Sequence, residues 1–227
     1  MIQVLARAGR VTISRNMSDN ENLGAEYAGF AQEIQDRLDA ADEAIVLAMR
    51  RDSKAYFHAE FAFMQLRLIC ELMALSSLWA HRVQGFPKKL ENAWHADEIF
   101  KELEAINDKC FPHAFRMTVL EGGERQVVPR NESAMARSDL TEIYGRCGNI
   151  LHRGALKQFL KGETKSYDLD FALSSATKIR ALLESHFIIV VDRGLVILCW
   201  FGKKGEPVQV AMAQADGPIS AEGLGAS

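Results

Sequence analysis

The chain has 227 residues, with 27 basic against 30 acidic side chains and four scattered cysteines. A chain of this length buries a substantial core without disulfides or metals. The hydrophobic share of 48% and the charged share of 25% exclude wholesale disorder. A net charge of -3 provides no global field for holding DNA or an anionic membrane. The cysteines form no Cys-x-x-Cys pair, so a zinc ribbon is not expected and the reducing cytoplasm is the predicted location.

Residues 1–22 are predicted to form an N-terminal arm. The stretches Ile2–Leu5 and Val11–Ser14 are interpreted as a short strand or an arm, and a polar loop follows them. Met17 is an alternative start of the chain, which would make the first 16 residues dispensable for function.

Two helices are predicted to follow the arm. Over 23–52 apolar and charged side chains recur at helical spacing. A second helix covers about 54–83, and within it 15 of the 20 residues of 61–80 are apolar, which is about the length of a membrane span. Arg67 and Glu71 near the middle would each cost roughly 2.5–3.5 kcal/mol on insertion into a bilayer. We therefore expect a buried bundle helix and no membrane partner.

The middle of the chain is predicted to combine one hairpin with further helices. A third amphipathic helix covers about 89–107, and the Gly-Gly turn within 108–135 predicts a small hairpin or ordered loop inserted in the bundle. Three more helices are expected: one from an N-cap at Ser138 to about His152, a short one over 155–161 and a longer one over about 168–186.

The C-terminal part changes to strand-like composition. The segments FIIVV, LVILCWF and VQVAMA predict a three-strand antiparallel meander over 187–213. Because the strands within 187–201 are apolar on both faces, we expect them either to be covered by the helices or to pair with a second chain. Residues 214–227 are predicted to form a disordered tail. The expected fold class is therefore mainly α, a helical bundle over 23–186 with a small C-terminal β meander and an internal hairpin.

Several motifs that carry chemistry are absent from the sequence. No G-x-x-x-x-G-K-[ST], G-x-G-x-x-G or G-x-S-x-G string occurs, which argues against a P-loop, a dinucleotide-binding fold and a nucleophile elbow. The E-x-x-H string of carboxylate-bridged metal bundles is also missing. We therefore expect neither a metal nor another cofactor.

Arg67 and Glu71 form the first candidate polar site, inside the most apolar helix. Their i,i+4 spacing places guanidinium and carboxylate on one face, close enough to pair. Glu60 lies two turns upstream, nearly on the same stripe. Burying such charges is costly unless they are paired and hydrogen-bonded. The pair either fixes the register of the helix or forms a polar wall of a ligand or catalytic pocket.

The second candidate site lies in the predicted fourth helix. Tyr144, Gly148 and His152 follow at i, i+4 and i+8, while Arg146 and Asn149 lie on a neighbouring strip. A histidine exchanges a proton near neutral pH, and an arginine stabilises the charge of a phosphate. The alternative interpretation is a core tyrosine and histidine that bond across to the first polar pair, with the arginine in solvent.

The segments LRLICELMAL and IYGRCGNILHRG resemble the HEPN superfamily of all-helical proteins, in particular members with an R-x-x-x-E helix and a later Y…H helix. The resemblance covers about 54–84 and 137–186, under half of the chain. It implies a homodimeric helical bundle. For many HEPN proteins it also implies metal-independent cleavage of RNA in toxin and antiviral systems.

The resemblance carries two catalytic roles over to this chain. The family's R-x(4–6)-H motif matches Arg146 and His152, so the histidine would act as general acid or base and the arginine would hold the scissile phosphate. Arg67, Glu71 and Tyr144 would support this site. Cys147 departs from the motif, because the family usually has a polar residue directly after the arginine. Six positions of straight helix also place the arginine and the histidine about 120° apart.

A rival function follows from the same residues. In it the chain is a non-catalytic interaction module, its polar network organises the bundle, and the β meander contacts a partner protein. A small-ligand pocket lined by the same residues is a third interpretation. RNA is expected as a partner only if the chain cleaves RNA. The segment 137–165 carries six basic against three acidic residues, a charge balance that is compatible with RNA binding.

Overall fold

The computed structural model confirms the mainly helical fold with an internal hairpin and a C-terminal meander. It describes residues 2–6, 9–12, 18–81, 90, 93, 95–119, 121, 125–130, 135–152, 166–190 and 194–215. The described helices are α1 Ser18–Met49, α2 Ala55–His81, α3 Ala96–Ile106, α4 Arg137–Leu151 and α5 Leu169–Leu183. The described strands are β1 Ile2–Ala6, β2 Gly9–Thr12, β3 His113–Val119, β4 Arg125–Pro129, β5 Ser185–Val190, β6 Leu195–Trp200 and β7 Gln209–Ala215.

The predicted hairpin and meander belong to one sheet. Strands β7, β6, β5, β3 and β4 follow one another in antiparallel pairs, with β3 joined to β5 through His113 opposite Phe187. The N-terminal hairpin β1–β2 closes this sheet into a seven-stranded barrel, because β2 pairs with β7 and β1 pairs in parallel with β4. The N-terminal strands therefore complete a barrel, which the sequence did not indicate.

The β meander is covered by helices of the same chain, which is the first of the two arrangements expected for its doubly apolar strands. Successive side chains of a strand point to opposite faces. Phe187, Ile189, Val196 and Leu198 point into the barrel and pack with Phe115, Val127 and Ala213. The alternate residues pack outward against α1 and the end of α2: the strands contribute Ile188, Val190, Leu195, Ile197 and Cys199, and the helices Leu23, Tyr27, Ala31 and Ala80.

Two buried histidines hold the helices to the barrel. His186 Nδ1 lies 2.8 Å from the carbonyl oxygen of Leu183, which only accepts, so Nδ1 carries the proton and Nε2 accepts from the Tyr27 hydroxyl at 2.7 Å. His81 Nδ1 donates to the carbonyl oxygen of Ser77 at 2.7 Å, and its Nε2 accepts from Asn107 Nδ2 at 2.7 Å. Asn107 Nδ2 also donates to the carbonyl oxygen of Ile189 in β5 at 2.9 Å, which connects this pair to the barrel. These bonds satisfy polar groups at the junction that would otherwise be costly to bury.

Helix α2 lies in the middle of the helical layer. Its buried residues, among them Phe63, Leu66, Ile69 and Met73, form the centre of the main core with the other helices. Among the described helices it is the one long and apolar enough to cross a membrane, and 61% of its most apolar window is buried in the protein. Packing inside the bundle accounts for this burial.

The boundaries differ from the predicted ones at several helix ends. Helix α1 begins at Ser18, inside the predicted polar loop. Helix α4 begins at Arg137, and Asp139 accepts a hydrogen bond from the Ala136 N–H at 2.8 Å, so Ser138 is inside the first turn and is not the N-cap. The predicted helix 155–161 lies outside the described residues, as does the predicted tail beyond Ala215.

Candidate functional site

Arg67 and Glu71 form the predicted ion pair on the surface of α2. Arg67 Nε lies 3.3 Å from Glu71 Oε1, and the two side chains are 24% and 18% exposed. The pair is thus neither sealed in the core nor free in solvent. Glu60, from the preceding turns of the same helix, accepts a hydrogen bond from the Tyr167 hydroxyl at 2.6 Å and so ties α2 to the segment before α5.

The hydroxyl of Tyr144 connects α2 with α3 and α4. It accepts a hydrogen bond from Arg67 Nη2 at 2.9 Å and lies 3.2 Å from His95 Nδ1. Burial raises the pKa of Tyr144 to about 12, the charge of Arg67 opposes this rise, and Glu71 adds to it by its charge and as a hydrogen-bond acceptor. The Tyr144 hydroxyl therefore accepts from Arg67 and also has the His95 ring and the Glu71 carboxylate as neighbours, so it is surrounded by polar partners.

The two predicted polar groups meet at Gly148. The guanidinium of Arg67 lies over the Tyr144 ring, 4.4 Å from its centroid, and fills the gap beside Gly148, where a Cβ would overlap Nη1. The histidine in this network is His95, just before α3, and His152 is not part of it. Sequence reasoning missed His95 because no spacing within a helix relates it to Arg67 or Tyr144.

Arg146 lies on the outer side of α4 and is held by other contacts. Its Nη2 donates to Asp168 Oδ2 at 2.8 Å, its Nη1 lies 3.5 Å from Glu142 Oε1, and its guanidinium stacks 3.4 Å from the centroid of the Phe171 ring. Asp168 is also the N-cap of α5, and the hydrogen bond from the Phe171 N–H together with Arg146 lowers the pKa of its carboxyl. Arg146 therefore links α4 to the start of α5.

His152 and Asn149 complete the set of predicted site residues. His152 is the C-cap of α4, has an extended backbone and is exposed. Asn149 is exposed one turn earlier. The contacts of Arg146 described above do not include His152, so the structure does not join the predicted catalytic pair.

The chemistry open to the Arg67 network is limited by its own hydrogen bonds. With a pKa near 12, Tyr144 stays protonated at neutral pH and is not a general base. Arg67 already forms an ion pair with Glu71 and donates a hydrogen bond to Tyr144. Within the described residues, no group of three or more His, Cys, Asp or Glu side chains is placed to hold a metal ion. The arrangement fits a structural polar network that holds α2, α3 and α4 together.

A second feature, which sequence reasoning missed, is an apolar ridge on the outer side of α2. Phe57, Phe61 and Met64 are 56%, 43% and 38% exposed, and Leu68 is half-buried at the next position of the same stripe. The spacing of four, three and four residues places all four on one helix face. We call these four residues the α2 ridge. The helical spacing of these apolar residues is present in the sequence. It does not stand out there because α2 carries apolar residues on nearly all of its faces.

Opposite charges flank the two ends of the α2 ridge. The turn before it carries three exposed cations, Arg50, Arg51 and Lys54, and one exposed anion, Asp52, so this end has a net positive charge. At its far end lie Glu71, which pairs with Arg67, and Asp97 of α3, which is close enough to act with Glu71 on the pKa of Tyr144, so two carboxylates stand against one guanidinium. The ridge therefore has a basic end and an acidic end.

Comparison with protein-family models, with curated proteins and with solved structures gives no match to this chain. The HEPN resemblance accordingly stays a prediction that depends on its two short motifs.

Proposed function

We propose that this protein is a non-catalytic helical interaction module that binds a protein surface through the α2 ridge. The observation that carries the proposal is the exposure of Phe57, Phe61 and Met64 side by side on one helix. Large apolar side chains that are exposed together mark interaction sites more often than they mark inert surface. A row at i, i+4 and i+7 is the form in which helices present themselves to a partner.

Two further observations support this function. The Arg67 network is satisfied by bonds within the chain, as expected for a polar group that organises the bundle. The outer face of the β meander is covered by α1 and α2, so the α2 ridge is the better surface for a partner than the meander. Tyr56, 47% exposed beside Phe57, widens the apolar surface at the basic end.

Site-specific photo-crosslinking in the native cell tests the proposal. We expect p-benzoylphenylalanine in place of Phe61 to give one discrete crosslinked product, identified by mass spectrometry. Leu173 on α5 is a matched control, since it is 44% exposed against 43% for Phe61. The same label at Leu173 should give no such product. Absence of a product at Phe61, or equal products at both positions, would contradict the proposal.

Metal-independent cleavage of RNA is the second candidate function, and the exposure of both Arg146 and His152 on α4 favours it. Arg146 is 40% exposed and His152, the C-cap of α4, is also exposed, so a polyanion has access to both side chains. Purified protein incubated with total RNA in EDTA should then cleave, while His152→Ala should not. Equal cleavage by both proteins, or cleavage by neither, would contradict this function.

A further inference from the structure

We infer that the partner of the α2 ridge is a second copy of this chain, packed antiparallel about a two-fold axis between Phe61 and Met64. This inference rests on the proposed function and names the occupant of its surface. It follows from two properties of the ridge, the symmetry of its apolar positions and the opposite charges at its ends.

The apolar positions are arranged symmetrically along α2. The midpoint between Phe61 and Met64 is also the midpoint between Phe57 and Leu68. When two copies of α2 run antiparallel across this point, Phe61 of one copy faces Met64 of the other, and Phe57 faces Leu68. A two-fold interface requires such a self-complementary patch. The large exposed rings then meet the smaller, flexible or half-buried side chains, which avoids a clash of aromatic rings at the centre.

The charges obey the same symmetry. Lys54 and Glu71 lie equally far from the midpoint, about 13 Å along the helix at 1.5 Å per residue. The antiparallel arrangement therefore brings the basic end of one copy, with Arg50, Arg51 and Lys54, to the acidic end of the other, with Glu71 and Asp97. A parallel arrangement would oppose like charges at both ends, which is unfavourable. Charge thus selects the antiparallel pair.

Sedimentation of the purified chain across a dilution series tests the second copy as partner. We expect a monomer–dimer equilibrium in the micromolar range, because a ridge of four side chains is a small interface. Phe61→Glu should weaken the dimer at least tenfold, while Leu173→Glu, which places the same charge at an equally exposed position, should leave it unchanged. Thermal melts of both variants establish that they are folded.

The charge arrangement is tested by mixing two variants. Lys54→Glu and Asp97→Lys should each weaken self-association, since each places like charges at both ends of the interface. Mixed together, they should form a heterodimer in which both ends again carry opposite charges. Failure of the mixture to associate more strongly than either variant alone would overturn the antiparallel pairing.

The crosslinking and the sedimentation experiments separate the two proposals. A product at Phe61 whose mass is twice 25.3 kDa, with the crosslink mapped to α2 of the second copy, supports both. A crosslink to a different protein, with the purified chain monomeric throughout the dilution series, overturns the second copy as partner and leaves the interaction module standing. No crosslink and no dimer overturn both.

Discussion

The guanidinium of Arg67 occupies the space that a side chain at Gly148 would need. It is held there by Glu71 on its own helix and by the hydroxyl of Tyr144, one turn before Gly148 on α4. The close approach of α4 to this arginine thus depends on a glycine within a helix, where glycine costs about 1 kcal/mol relative to alanine.

Gly148→Ala and Gly145→Ala should have clearly different effects on stability. Both glycines lie inside α4, so alanine gains about 1 kcal/mol of helix propensity at either position. A Cβ at Gly145 meets no atom within 4 Å, whereas a Cβ at Gly148 displaces Arg67. Chemical denaturation should show Gly148→Ala less stable than Gly145→Ala by about 1–3 kcal/mol, the cost of the disrupted hydrogen bonds.

Removal of Arg67 should abolish that difference. In an Arg67→Ala background both glycine substitutions should stabilise the protein by similar amounts, because the clash at Gly148 is gone. A double-mutant cycle measures this coupling between Arg67 and position 148. Equal effects of the two alanines in the wild-type background would show that Arg67 moves aside without cost.

Tyr144→Phe should lower the free energy of unfolding by about 1–3 kcal/mol. The substitution removes the hydroxyl that Arg67 and His95 contact and leaves their polar atoms without this partner. Tyr56→Phe is the matched control, because Tyr56 is 47% exposed and its loss of a hydroxyl should change stability little. Urea denaturation of the two variants beside the wild type makes the comparison. Equal stability of Tyr144→Phe and Tyr56→Phe would show that the Tyr144 hydroxyl does not help to hold α2, α3 and α4 together.

Stability should fall in mildly acidic solution because of His186. Burial lowers the pKa of this imidazole to about 4, whereas in the unfolded chain it titrates near its ordinary value of about 6.5. The unfolded chain therefore takes up the proton first. The stability contributed by neutral His186 is complete above about pH 6.5 and is lost as the pH falls towards 4, on the order of 3 kcal/mol in total.

The double variant Tyr27→Phe/His186→Leu tests this assignment. It removes the titrating imidazole together with the hydroxyl that donates to it. The Leu183 carbonyl oxygen loses its donor, His186 Nδ1, at a cost that does not change with pH, so the comparison is made on the pH slope and not on the absolute stability. Between pH 6.5 and 4 its unfolding free energy should change less than that of the wild type. His113, whose pKa burial also lowers, supplies part of the remaining slope. Parallel pH curves for the two proteins would exclude His186 as the cause.

The four cysteines should react slowly in the native protein. Cys70, Cys110, Cys147 and Cys199 are all buried and free. Burial raises the pKa of Cys110 and of Cys147 to about 12, so almost no thiolate, the reactive form, is present at pH 8. Labelling with a thiol reagent should therefore be slow in buffer, and four groups should react at once in denaturant. Fast labelling of one cysteine without denaturant would contradict this burial.

The helices and the meander were predictable because their apolar periodicity is local. The barrel was not, because its closure depends on pairs far apart in the chain, such as Ile2 opposite Arg125 and Val11 opposite Ala215. A short segment such as Ile2–Leu5 carries no signal for its partner strand. Register between distant strands is set by packing and turn geometry over the whole sheet.

The Arg67–Glu71 pair was predictable for the same reason, since i,i+4 neighbours on a helix meet wherever the helix packs. The assignment of His152 as the partner histidine depended on spacing within α4 and ignored how that helix ends. At the C-cap the backbone is extended, and His152 leaves the helical stripe. His95 takes its place through a contact between separate elements, which no spacing rule reveals.

The covering of the outer strand face by α1 has a consequence for how the chain can be divided. A fragment that ends after Leu183 leaves Leu23 and Tyr27 of α1 without the strands they pack on. A fragment that begins at β5 exposes five apolar side chains of β5 and β6 to water. Each fragment would therefore expose apolar surface that the intact chain buries, so neither part is expected to fold on its own after cleavage near residue 184.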